Sequence, residues 1–320
     1  QIKAPISSEL DVFEKKFRES MKSRVALLDV IMNYIVKRKG KQMRPIFVLL
    51  SARLFGPITD RTYRGAALVE LLHTATLVHD DVVDESALRR GQASANALFG
   101  NKASVLVGDF LFARAFQLMV ADGSLEVLRI LSTAAATIAE GEVLQLMTQN
   151  DTATTEDQYL AVIEGKTAAL FAAATEVGAV IADRPTAEQT ALCDYGGALG
   201  IAFQLVDDAL DYAANQAALG KTVGDDFREG KITLPVLLAF ARGSEEERGF
   251  WRRVLEEGDQ QDADLATAMA LMTKYDTIGE TIARARRYGE KAISALDVFP
   301  DSLEHRALVE VVRFCIDRAR

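Results

Sequence analysis

The chain has 320 residues, 49% of them hydrophobic, enough apolar mass for a sizeable core in one large domain or two smaller ones. Its formal net charge of −9 excludes general nucleic-acid binding, which wants a basic surface, but a local basic cluster or bound cations can still hold a phosphate compound. The two cysteines, Cys193 and Cys315, form neither a metal spacing nor a disulfide framework and fit a reducing, cytoplasmic compartment.

Residues 8–36 place Leu10, Phe13, Phe17, Met21, Val25 and Leu28 at helical spacing and predict one amphipathic helix. Lys3, Glu9, Asp11, Glu14, Lys15 and Lys16 leave no signal-peptide core in that segment. The helix ends in a basic knot, Lys37-Arg38-Lys39-Gly40-Lys41-Gln42-Met43-Arg44-Pro45, where Gly and Pro break it. A short helix over 45–55 follows. A longer one from about residue 60 repeats Leu68, Leu71, Leu72, Ala75, Val78 and Val82 and ends in Asp80-Asp81-Val-Val-Asp84, with Arg89-Arg90-Gly91 as a loop beyond it.

Helices are predicted over 104–121, 124–147, 155–164 and 167–181, with Gly165-Lys166-Thr167 as a break between the last two. A helix over 186–212 carries a second cluster of the same pattern, Asp207-Asp208-Ala-Leu-Asp211, again near its C-terminal end. A polar loop over 213–231 and three or four more helices complete the chain. No alternating strand pattern persists, and no apolar run reaches the length of a bilayer span. The expectation is one all-α domain over 1–320, a single large helical bundle.

A carboxylate at a helix C-terminal end opposes the helix dipole unless a cation compensates, and three within five residues repel one another. Asp80 and Asp84 share a helix face, as do Asp207 and Asp211. One such cluster could be a solvated acidic end; two on apolar helices point to metal. Carboxylate pairs that leave room for water and a substrate phosphate suit Mg²⁺. Lys41 and Arg44, with Arg89 and Arg90, supply point charges and forks for phosphate oxygens and suggest two diphosphates. His73, seven residues before Asp80, lies on the same face and is either structural or a phosphate donor. His79-Asp80 also resembles a phosphohydrolase pair, but too few further histidines exist for that site. A broken helix at Lys166-Thr167 frees carbonyls that, with the Thr167 hydroxyl and the Gln204 amide, could face a developing cation.

These motifs, with Gly220-Lys221, Asp225-Asp226 and Gly230-Lys231, resemble the trans-isoprenyl diphosphate synthases, or polyprenyl synthetases, along essentially the whole chain. Gln42 departs from the basic residue many members carry. The resemblance implies that Asp80 and Asp84, with Asp207, hold roughly two to three Mg²⁺ ions on an allylic diphosphate, with Asp81, Asp208 and Asp211 completing the metal clusters. It places Arg89, Lys166, Thr167, Gln204, Lys221 and Lys231 on that allylic side, and Lys41, Arg44, His73 and Arg90 on isopentenyl diphosphate. Bulky aromatics four or five residues before the first cluster stop chain growth in the family. Here Ala75 and Thr76 are small, which implies a long product for a quinone side chain. A homodimer and transient membrane contact for product release are further implications. The alternatives are a geranylgeranyl or farnesyl diphosphate synthase, a terpene cyclase (disfavoured by the second Asp cluster), and a non-catalytic subunit of a heteromeric synthase.

Overall fold

The computed structural model describes residues 2–37, 40, 42–213 and 223–318. The chain is helical as expected. In order, the helices are α1 (Ser7–Ser20), α2 (Ala26–Lys37), α3 (Met43–Arg53), α4 (Asp60–Val83), α5 (Ala95–Phe99) and α6 (Asn101–Asp122). Then come α7 (Leu125–Thr148), α8 (Glu156–Ile163), α9 (Ala169–Ile181), α10 (Thr186–Leu210) and α11 (Asp225–Arg228). The series ends with α12 (Leu234–Arg242), α13 (Glu245–Trp251), α14 (Asp264–Lys274), α15 (Thr277–Ala295) and α16 (Leu303–Asp317).

Contacts divide the chain into two units, each assembled from three segments. The first comprises Gln1–Ala135, Ala173–Cys193 and Pro300–Leu308; the second comprises Ala136–Ala172, Asp194–Phe299 and Val309–Arg320.

In the first unit α4 is apolar around most of its circumference and packs against α6, α3 and α1. Thr59 starts α4 in a capping box with Thr62. Arg61 grips Asp122 through two hydrogen bonds of 3.1 Å, and the Nε2 of His79 donates to the Val105 carbonyl at 3.0 Å, so both ends of α4 are tied to α6. His79 is thereby spent on packing. Helix α6 is long and apolar enough to cross a membrane by length and composition, contrary to the expectation that no segment is. Its place against α4 accounts for part of that apolarity.

Two local departures have clear causes. The helix expected over 8–36 is split, because Asp29 accepts the Ser23 N–H at 2.9 Å and the Ser23 hydroxyl accepts the Val25 N–H at 3.1 Å. Short polar side chains there offer the backbone an alternative to the helix. The loop at Arg90 is the turn of a small antiparallel hairpin, β1 (Leu88–Arg89) and β2 (Gln92–Ala93). Its two turn residues, Arg90 and Gly91, both have positive φ, 53° and 73°, as a two-residue type I′ turn requires.

The second unit has its own apolar core, centred on Leu205, Val206, Tyr212, Phe227, Trp251 and Met272. The predicted break at Gly165 is not a break. Residues Glu164–Ala168 form one π-helical turn that joins α8 to α9. Such turns recur at functional sites because the extra residue displaces side chains from the regular spiral. Gly141 and Gly165 meet there without side chains: a Cβ on Gly165 would stand 2.9 Å from the Gly141 Cα. That approach brings α7 against the π turn.

Candidate active site

In the first unit the basic residues gather around α4. The Nη1 of Arg44, at the start of α3, lies 3.0 Å from the Nε2 of His73. A guanidinium has no acceptor, so Arg44 donates and the imidazole nitrogen accepts, which requires neutral His73. Burial, then the charges of Arg44, Arg89 and Arg90, hold the His73 pKa well below the usual value. Both side chains keep a partly accessible edge, but the surrounding atoms deprive them of bulk water. Burial also brings Arg44 down to about 10, with Glu70 opposing and Arg90 reinforcing. The positive-φ turn carries Arg90 to Gly40, where a Cβ would fall on its guanidinium. A cavity of about 840 Å³ opens beside Arg89 and Arg90, lined also by Asn33, Tyr34, Lys37 and Phe99. Lys41 lies outside the described residues.

The sign of the His73 shift makes a prediction. An unfolded histidine titrates near 6.5. Because the folded pKa is lower, the unfolded chain binds the proton first as pH falls. The stability that His73 contributes is therefore full above about pH 6.5 and is lost as pH drops below it. Urea midpoints measured from neutral to mildly acidic pH are expected to fall less steeply for His73→Asn than for the parent. Equal slopes would remove His73 as the cause.

Asp80 and Asp84 sit at the end of α4 one turn apart, with the Asp84 N–H donating to the Asp80 carbonyl at 2.8 Å. Asp84 is exposed and Asp80 half-buried. Asp81 behaves differently. It is buried, and Arg89 donates to it through Nε at 2.8 and 3.0 Å and through Nη2 at 2.6 Å. The residue expected on metal and the residue expected on diphosphate are here joined to each other.

In the second unit α10 carries Gln204, Asp207, Asp208 and, just past its end, Asp211. Asp208 is 4% exposed; Tyr159 donates to its Oδ2 and Gln204 Nε2 to its Oδ1 at 2.9 Å. The Thr167 hydroxyl donates to Gln204 Oε1 at 2.9 Å. Lys166 is held by Gln145 and by Glu142 at 3.1 Å. Arg318 pairs with Asp207 and stacks over Phe203. Asp226 donates its N–H to Asp211 at 3.0 Å and pairs with Lys231 at 3.5 Å. Lys221 lies outside the described residues. Burial, then the charge of Asp226, pushes Asp208 up to about 8 and Asp211 up to about 7. Burial raises Asp226 as well, with Lys231 opposing. Crowded carboxylates of this kind ionise readily only beside added positive charge.

Among the described residues no three His, Cys, Asp or Glu side chains converge into a ready-made metal cage. The donor set nevertheless fits Mg²⁺. It is all oxygen and it offers carboxylates one turn apart, and at Asp211 burial and the neighbouring Asp226 disfavour the charged form, a cost that a cation would offset. Mg²⁺ keeps several waters and binds through one or two carboxylates plus substrate phosphate, so no protein cage is required.

Residues 25–272 match the polyprenyl synthetase family model. The chain belongs to this family. It is 47% identical over 302 residues to the octaprenyl diphosphate synthase of Escherichia coli (strain K12), covering 94% of this chain and 93% of that one. Its structure is similar to that of a decaprenyl diphosphate synthase from Rhodobacter capsulatus, with a TM-score of 0.96, 49% identity and coverage of 100% and 98%. A polyprenyl synthase from Caulobacter crescentus CB15, solved with calcium and isoprenyl diphosphate, gives a TM-score of 0.93, 45% identity and coverage of 100% and 97%.

Within this polyprenyl synthetase chain, sequence reading missed the groups that hold the predicted side chains. Glu70, buried on α4, acts on Arg44 and Arg90. Glu142, Gln145 and Tyr159 are the others, while Asp226 was noted in its motif but without a role. An acid inside an apolar helix is itself a signal, and it would have found Glu70 by the argument used for the Asp clusters. Tyr159 leaves no such mark, since a buried tyrosine looks like core until its hydroxyl partner is seen.

Proposed function

We propose that this chain is a long-chain trans-polyprenyl diphosphate synthase. It extends an allylic diphosphate by successive head-to-tail condensations with isopentenyl diphosphate, giving an octaprenyl-to-decaprenyl product for a quinone side chain. The observation that carries the reading is the anion site on α4. Neutral His73 is held by Arg44, with Arg89 and Arg90 acting on it, two helical turns before the Asp80–Asp84 pair. Around α4 there is thus a site whose cationic side chains come from α3 and the hairpin and suit a diphosphate, and at its end a second site that calls for metal.

The roles follow from the chemistry. Asp80, Asp84 and Asp207 hold Mg²⁺, which when bound supplies Lewis-acid neutralisation of the departing diphosphate. Lys166, Lys231, Lys221 and Arg89 add positive charge for the same leaving group. Arg44, Arg90, His73 and Lys41 keep the diphosphate of isopentenyl diphosphate in place, so that its alkene is near the allylic carbon and oriented toward it. Gln204 and Thr167 present oxygen dipoles toward the developing allylic cation. Apolar walls exclude water that would otherwise capture it. Ala75 and Thr76 leave space for a growing chain.

The single domain expected over 1–320 remains part of this reading, supported by α7, α9, α10 and α16 each contributing residues to both contact units. A cytoplasmic homodimer also belongs to it. Leu98 and, on α6, Leu106, Phe116 and Val120 are exposed apolar side chains, the kind of surface that a second copy covers. The test is turnover of radiolabelled isopentenyl diphosphate by the purified chain with Mg²⁺ and an allylic primer, with products separated by chromatography. Long all-trans products support the reading. Absence of turnover favours a non-catalytic subunit, and a farnesyl or geranylgeranyl main product favours a short-chain enzyme.

A further inference from the structure

The second unit holds a buried line of hydrogen bonds that the assigned chemistry does not require. It begins at Tyr159 on α8, crosses Asp208 and Gln204 on α10, and ends at Thr167 in the π turn. Three of the four are nearly sealed from solvent: Tyr159 is 3%, Asp208 4% and Thr167 7% exposed.

The direction of this line has a chemical consequence. The Gln204 amide has a donor end and an acceptor end of nearly equal shape, and nothing in its own rotamer chooses between them. The Gln204 NH₂ donates to Oδ1 of Asp208 at 2.9 Å. Oε1 is then forced toward the Thr167 hydroxyl, also at 2.9 Å. Tyr159 occupies the other carboxylate oxygen and stops the group from turning. Both oxygens of Asp208 are engaged, and the residue is buried, whereas Asp207 beside it is 40% exposed at its side chain. Two neighbouring acids of one cluster therefore have different work.

We propose that Tyr159 and Asp208 are positioning residues that fix the Gln204 oxygen toward Thr167, and that Asp208 does this instead of ligating metal. The inference rests on the prenyl-transfer reading above, in which Gln204 and Thr167 face the allylic cation. Oriented dipoles help only if they are already aimed before charge develops. A freely flipping amide would present its NH₂ end part of the time and repel the cation.

The test compares the parent with Tyr159→Phe, Asp208→Asn, Gln204→Ala and the Tyr159→Phe/Gln204→Ala pair. Tyr159→Phe keeps the ring and its packing; Asp208→Asn keeps the carboxyl shape and serves as the second variant if the first fails to fold. Each single change at Tyr159 or Asp208 is expected to lower kcat about tenfold, the order of one lost buried hydrogen bond. The KM for isopentenyl diphosphate and the Mg²⁺ concentration for half-activation should not move. In the double variant, Tyr159→Phe should add no further loss to Gln204→Ala, because the hydroxyl acts through the amide. Parent-like kcat in both single variants, multiplied losses in the double variant, or a raised Mg²⁺ requirement in Asp208→Asn would each overturn the proposal. An inactive parent would instead overturn the prenyl-transfer reading itself.

Discussion

Asp80→Ala and Asp84→Ala are each expected to lower condensation by roughly 10³-fold, measured as incorporation of radiolabelled isopentenyl diphosphate at saturating Mg²⁺. A Lewis-acid metal on a leaving phosphoryl oxygen is worth several kcal/mol of barrier, and about 4 kcal/mol corresponds to that factor. The two residues are singled out by geometry. They lie one turn apart at the end of α4, at least partly open to solvent, where nothing but a cation can offset the helix dipole. Asp81→Ala provides the contrast. Its carboxylate is buried and forked by Arg89, so its loss should show first as a lower melting temperature and a disordered hairpin. Near-parent turnover in Asp80→Ala would remove metal-assisted ionisation from the first cluster.

The helical architecture was legible because the hydrophobic period persists over long windows. Residues 124–147 were expected helical and α7 runs Leu125–Thr148; residues 186–212 were expected and α10 runs Thr186–Leu210. What was not legible depends on competition or on tertiary partners. Ser23 and Asp29 interrupt the first helix through side-chain bonds that leave the apolar pattern intact. Gly165 read as a break because glycine usually marks one, but here it allows Gly141 to approach and the chain absorbs the misfit as a π turn. The same division holds at the site. Carboxylates set in apolar helical runs declared themselves as candidates: Asp80, Asp84 and Asp207. The orienting partners did not, since Tyr159, Glu142 and Gln145 are unremarkable residue types whose role is set by contacts across helices.

Product length offers the second large effect. Ala75→Phe is expected to move the main product from the octaprenyl-to-decaprenyl range to geranylgeranyl length or shorter, read by chromatography of the dephosphorylated products. Ala75 is fully buried in α4, and Thr76 returns its hydroxyl to the His73 carbonyl at 2.7 Å, so neither presents a polar obstacle to an apolar chain. Thr76 shares the face of Asp80 one turn away, and Ala75 sits one residue back on the neighbouring face. A phenyl ring fits beside a packed helix only where a product chain otherwise lies; elsewhere overpacking costs about 1–3 kcal/mol. Thermal melting measured together with product length separates the two cases. A shorter product with little loss of stability places Ala75 at the wall of the elongation path. An unchanged product with a lowered melting temperature places it against protein. Thr76→Phe, on the metal-bearing face, then becomes the substitution expected to stop growth, because a ring there meets the chain nearest the point of bond formation.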